Sequence, residues 1–259
     1  MGQAIMGGWL AQGLAPSHIR AIDPGDAAQK ACDAVGVSCL DSIDDLDTEF
    51  QPDAVMFAVK PQMIAEAAPS FVRFATNALL VSIVAGTTIT WFEEVFGVEA
   101  SVLRVMPNTP ALVQSGITAL FANSAASTQQ RDMGQSMFEA VGETVWLENE
   151  DHLDAVTAVS GSGPAYIFLL MEVMARAGRE VGLPEETANK LARKTVEGAA
   201  LLASQSDLDP ASLRKNVTSP GGTTAAALEV LMGEPGMEEL FKRAIKAATE
   251  RGRELGQSS

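Results

Sequence analysis

Short unbroken apolar runs mark the first half of the chain: "AVMFAV" (54–59), "LLVSIVA" (79–85) and "VLRVM" (102–106). Continuous runs of this length, without alternation, suit strands covered on both faces, and so predict parallel β-strands. Between them, "PQMIAEAAPSFVRFA" (61–75) and "TITWFEEVFG" (88–97) carry apolar residues at helical spacing, the first opening with a proline after Lys60. "ITALF" (117–121) and "TVWL" (144–147) flank a further helical pattern from Thr128 to Val141. Strands alternating with helices predict a doubly wound α/β domain, residues 1–149.

From residue 150 to 259 the pattern is helical throughout. "SGPAYIFLLMEVMARAGREVG" (162–182) has Pro164 at its start, places Tyr166, Leu169, Leu170 and Met174 on one face, and stops at Gly182. "PEETANKLARKTVEGAALLASQ" (184–205) begins with a proline and two acids, and further helices are expected after Thr224 and around "MEELFKRAIKAATERGREL" (237–255). Apolar faces this broad in an acidic chain predict burial against a second subunit.

"MGQAIMGGWLAQGL" (1–14) reads as a helix from its first residue, with no strand ahead of it. A dinucleotide-binding βαβ unit runs its first strand into a G-x-G-x-x-G/A turn whose last small residue sits in the helix, and Gly2 fits that last position. The expectation is a Rossmann-like domain whose first strand is missing from the sequence. Without that strand the neighbouring edges would be bare, at a cost beyond the ~5–15 kcal/mol stability of a domain. "HIRAIDP" (18–24) then supplies the second strand of the unit. Asp23 at its end suits a ribose hydroxyl and leans towards NAD, though it equally suits opening the turn "DPGD".

"NVTSPGGTTAAALEVL" (216–231) is a glycine turn running into an apolar helix. Free N–H groups and the helix dipole make such a terminus an anion site, which Gly221 and Gly222 leave open and to which Thr223 and Thr224 add hydroxyls. On the residues alone an ordinary capped turn is the favoured reading. A net charge of −15 argues against nucleic acid and anionic membranes as partners. The two cysteines, Cys32 and Cys39, are too few for a disulfide framework, and with no secretory signal or spanning apolar run the expected location is the cytoplasm. His18 and His152 stand alone, and the acidic run "DSIDDLDTEF" (41–50) matches no metal-binding spacing, so no metal is expected.

"FAVKPQ" (57–62), "SIVAG" (82–86), "RVMPNTPALVQSGITAL" (104–120), "SGSGPAYIFLLMEVMARAGREVGLP" (160–184), "EGAALL" (197–202) and the glycine-turn segment together resemble pyrroline-5-carboxylate reductase, in that family's order and spacing. The resemblance implies reduction of 1-pyrroline-5-carboxylate to L-proline by NADPH or NADH. It implies that the backbone around Gly221, Gly222, Thr223 and Thr224 holds the substrate carboxylate, with the Thr224 hydroxyl beside the ring nitrogen and Asp207 near it. For the cofactor it implies Met1 and Gly2 at the first helix, Asp23 at the ribose, Ala58, Val59, Lys60, Pro61 and Ile83, Val84, Ala85 along the nicotinamide half, and Asn108 and Asn216 facing the cleft. It further implies a homodimer with interlocking helical domains, in many members built into a decameric ring. The alternatives are another Rossmann reductase, acting on a hydroxy acid or a different imine, and a dimeric binding or regulatory protein without catalysis.

Overall fold

The computed structural model describes residues 1–257. The chain begins with α1 (Gly2–Ala11), β1 (Arg20–Ile22), α2 (Asp26–Asp33) and β2 (Ser38–Leu40). There follow β3 (Ala54–Phe57), α3 (Ile64–Ala67), β4 (Leu79–Ser82), α4 (Ile89–Phe96), β5 (Val102–Met106), β6 (Gly116–Ala122), α5 (Thr128–Glu139) and β7 (Gly142–Trp146). The rest is helical: α6 (His152–Val156), α7 (Gly163–Glu180), α8 (Glu185–Ser204), α9 (Pro210–Asn216), α10 (Thr223–Leu231) and α11 (Met237–Gln257). Two compact units result, Met1–Gly161 with the chain from Ala248 onward, and Ser162–Ala247.

In the first unit the strands form two sheets, a parallel β1–β2 pair and a five-stranded sheet in the order β3-β4-β5-β6-β7. β1 and β3 do not bond to each other. α1 spans the division: Ile5, fully buried, packs with Leu79, Val81, Leu103 and Leu120 of the larger sheet, while Met6 packs with Cys32 and Val37 beside the smaller one. Trp9 touches both clusters, and its indole N–H donates to the Met137 carbonyl at 2.7 Å. A second core, built on Phe57, Phe92 and Phe96, fills the opposite face of the five-stranded sheet.

Two elements differ from the sequence expectation. β6 runs antiparallel to β5, because the connection 107–115 is too short for the crossover that a parallel pair needs. The helix expected over 61–75 is broken into 3-10 turns at Pro61–Met63 and Ala68–Phe74 around the single turn of α3, where Pro69 removes a backbone donor. The expected helix 88–97 is α4, ended by Gly97 at φ +93°. Between α6 and α7 the backbone widens into a π turn, Thr157–Gly161, with the Thr157 and Ser160 hydroxyls donating to carbonyls four residues back at 2.8 and 3.1 Å.

The second unit is built differently. Over residues 162–247 the buried apolar side chains are Ala175, Ala188 and Ala192, while Phe168, Leu169, Leu201, Leu202 and Phe241 are more than two-fifths exposed. The helical run His152–Glu180 is long enough to cross a bilayer and holds an 18-residue window of mean hydropathy 1.3, where the sequence reading found no spanning run. Its exposed apolar residues from Phe168 onward lie in the stretch 162–247, which buries no large apolar side chain within one protomer.

Candidate active site

In the first unit the relevant residues gather at the carboxyl ends of β3 and β4. The Ile83 N–H donates to the Phe57 carbonyl at 3.2 Å, so the two strand ends stay together as the chain leaves the sheet. Ala58, Val59, Lys60 and Pro61 continue from β3; Ala58 and Lys60 are exposed, Val59 and Pro61 half-buried. Ile83, Val84 and Ala85 continue from β4. The first turn of α1 joins them, because a Cβ on Gly2 would lie 3.1 Å from that of Ala58. Met1, the N-cap, offers no side-chain cap to the helix. The turn therefore presents free N–H groups and the positive end of the dipole beside two strand ends, an arrangement that fits a dinucleotide pyrophosphate.

Asp23 sits just past β1, where its carboxylate accepts from the Gly25 N–H at 2.9 Å and its carbonyl from the Gln29 amide at 3.0 Å. The turn-opening role foreseen for it is thus realised at the strand end. Asn108 is buried, and its amide oxygen accepts from the Ile117 N–H at 3.0 Å, which ties the 109–113 turn to β6. Asn216 closes α9 and is exposed.

In the second unit α10 opens at Gly222, in extended backbone at φ −83°, ψ 176°, after Gly221 in the left-handed region at φ +69°. The first intrahelical bond runs from the Ala226 N–H to the Gly222 carbonyl at 3.2 Å, leaving the N–H groups of Thr223, Thr224 and Ala225 without intrahelical acceptors. No side chain caps them and the first turn carries no acid. Thr224 is half-buried and Thr223 exposed. Asp207 is exposed in the loop ahead of α9. It is Asp209, two residues on, that caps α9 through the Ser212 N–H at 2.9 Å, a bond that lowers its pKa.

One arrangement escaped the sequence reading. Arg104, buried in β5, donates to the carboxylate of Glu150, and the same oxygen accepts the Ile89 N–H at 2.7 Å. The signal was present in "VLRVM", since a charge inside a buried strand requires a partner.

Residues 150–255 match the protein-family model described as pyrroline-5-carboxylate reductase dimerisation. Residues 1–86 match one described as NADP oxidoreductase, coenzyme F420-dependent. The pyrroline-5-carboxylate reductase of Pseudomonas aeruginosa is 40% identical over 99% of this chain and 94% of its own. The chain belongs to the pyrroline-5-carboxylate reductase family. The enzyme of Haemophilus influenzae is 38% identical over 98% of this chain and 94% of its own. Among solved structures, the reductase from Coxiella burnetii superposes with a TM-score of 0.90 at 36% identity, covering 98% of this chain and 94% of that one. The Plasmodium falciparum reductase, with NADP bound, does so at 0.82 and 27% identity, covering 99% and 96%. The family's fold, a Rossmann-like half followed by a helical dimerisation half, is the fold described above.

Proposed function

We infer that this chain reduces 1-pyrroline-5-carboxylate to L-proline with NADPH or NADH, the closing step of proline synthesis. The observation that carries this reading is the open N-terminus of α10, in a chain that matches pyrroline-5-carboxylate reductases along nearly its whole length. We assign residues 1–149 to dinucleotide binding and 150–259 to substrate binding and dimerisation.

The substrate is a cyclic imine bearing a carboxylate. The N–H groups of Thr223, Thr224 and Ala225 would hold that carboxylate, with Gly221 and Gly222 keeping side chains out of its path. A bound dihydronicotinamide supplies the hydride that the imine carbon accepts, and a proton on the ring nitrogen completes the amine. The chain's own task is to orient and to exclude water, for which positioning alone can supply ~7–11 kcal/mol. The Thr224 hydroxyl would serve the ring nitrogen as hydrogen-bond partner, and the Asp207 carboxylate would favour its protonated form by charge. On the cofactor side Met1, Gly2, Ala58 to Pro61 and Ile83 to Ala85 would contribute mainly backbone, Asp23 would meet the ribose, and Asn108 and Asn216 would each contribute from its own loop.

The protein works as a homodimer in the cytoplasm, and the decameric ring is the larger assembly to look for by light scattering. The decisive experiment follows oxidation of NADPH and of NADH by the purified protein with pyrroline-5-carboxylate as acceptor. Turnover with proline as product is expected. A folded, dimeric protein that turns over neither cofactor would overturn the reading in favour of a binding protein.

A further inference from the structure

A charge within an apolar strand needs an opposite charge, and the way this chain supplies it reaches the loop assigned to the cofactor. Arg104 lies on β5, only 7% exposed, in register with Ser82, the last residue of β4. It donates to Glu150 Oε1, which also accepts the Ile89 N–H at 2.7 Å. Ile89 is the first residue of α4, so the carboxylate satisfies one of the free donors of that helix and sets negative charge at its positive end. The Thr88 hydroxyl takes a second donor, the Trp91 N–H, at 3.2 Å.

The consequence is for residues 83–88. At their start, the Ile83 N–H is held by the Phe57 carbonyl at 3.2 Å and the Val84 N–H by the Ser82 hydroxyl at 3.2 Å. At their end, Ile89 is held by Glu150. Midway, Gly86 at φ +83° abuts the last turns of α11, where an added Cβ would lie 3.0 Å from the Gly256 Cα. A segment pinned at both ends and pressed at its middle has little freedom, and it carries Ile83, Val84 and Ala85.

We propose that Glu150 is a positioning residue for dinucleotide binding: by holding the Ile89 N–H it fixes the far end of the loop 83–88 against which the nicotinamide half lies. The proposal rests on the reductase reading given above. Glu150 is also the residue at which the match to the dimerisation family begins, so the contact fixes the cofactor loop to the start of the segment leading into the helical half.

The competing role is neutralisation of Arg104 alone, and two variants separate the roles. Arg104→Met removes the buried charge and leaves Glu150 on the Ile89 N–H. Arg104→Met/Glu150→Leu removes both charges while keeping apolar volume, a replacement that buried ion pairs often tolerate without loss of stability. The measurements are the Kd for NADPH by fluorescence titration, hydrogen exchange of the Ile89 amide, and the KM for pyrroline-5-carboxylate at saturating cofactor. Arg104→Met should bind NADPH as the parent does. The double variant should bind it about tenfold more weakly or worse, the loss expected for a hydrogen bond to a charged acceptor. It should also show faster Ile89 exchange with an unchanged KM for the imine. Parental NADPH affinity in a folded double variant would overturn the proposal and leave Glu150 as a counter-ion. An unmodified protein that binds neither dinucleotide would overturn the reductase reading and this proposal together.

Discussion

Gly222→Asp separates stability from substrate binding more sharply than any other single change in the site. Gly222 is the N-cap of α10 in extended backbone that any residue can adopt, with three N–H groups ahead of it uncapped. A Cβ there would lie 3.2 Å from the Ser219 carbonyl oxygen, so the turn must yield by a few tenths of an ångström. An aspartate in that place would accept from the Thr224 or Ala225 N–H and set a negative charge on the dipole. Net of that adjustment, it should stabilise the protein by roughly 0.5–1 kcal/mol, a rise in Tm of about 1–4 °C for a chain of this size. The substrate carboxylate would meet its rival at the same donors. Two like charges about 4 Å apart at an effective dielectric constant near 20 repel by about 4 kcal/mol. Allowing for movement, KM for pyrroline-5-carboxylate should rise roughly 10²–10³-fold, with KM for NADPH unchanged. Gly222→Asn, a cap without the charge, should raise KM far less. The assay is steady-state NADPH oxidation beside a thermal melt of each variant. A folded Gly222→Asp protein with parental KM for the imine would refute the reasoning, because the carboxylate would then be bound somewhere else.

Thr224→Val keeps the shape of the side chain and removes its hydroxyl. It should lower kcat roughly 10²-fold if that hydroxyl assists proton delivery, with activity recovered in Thr224→Ser, and a parental rate in stopped-flow would take Thr224 out of the chemistry. Gly142 has φ +151°, and a Cβ there would fall 2.0 Å from the Gly116 carbonyl oxygen. Gly142→Ala should therefore cost about 3 kcal/mol or more through strain and crowding at the start of β7, seen as a large fall in Tm or loss of soluble protein. Burial, followed by the neighbouring Cys32 thiol, raises the Cys39 pKa from 9.0 to about 11. The unfolded chain loses this proton first, so the associated stability is complete below pH 9 and disappears as pH rises from 9 towards 11. Melts across that range should fall more steeply for the parent than for Cys39→Val, and equal slopes would show that the thiol is not shielded.

Elements set by one dominant local signal were legible in the sequence. The unbroken runs over 54–57, 79–82 and 102–106 are strands because only a buried strand can carry that many apolar residues without alternation. Gly97 and Gly182 end their helices at positive φ as their positions implied. What stayed hidden depended on distance along the chain. The direction of β6 follows from a length limit on its connection, and the apolar spacing over 61–75 gave no warning that Pro69 would dominate. α9 was missed because its seven residues show too little periodicity to stand out from a loop. In the second unit, the glycine turn and the helix start after it were readable from local chemistry, while their role as a carboxylate site came from the family resemblance. The meeting of Gly2 with Ala58, and of Glu150 with Arg104 and Ile89, joins residues far apart in sequence, and only the fold brings them together.

The helical half, with three alanines as its buried apolar residues over 162–247, has too little interior to fold on its own account. In a family whose matching model is one of dimerisation, a second copy would supply the missing interior, and folding of this half and association would become one equilibrium. Its midpoint then carries units of concentration: dilution acts as a denaturant, and melts recorded at one protein concentration do not transfer to another. A substitution on an outward-facing Phe168 or Leu202 would be felt as a core mutation, although within one protomer those side chains look like surface.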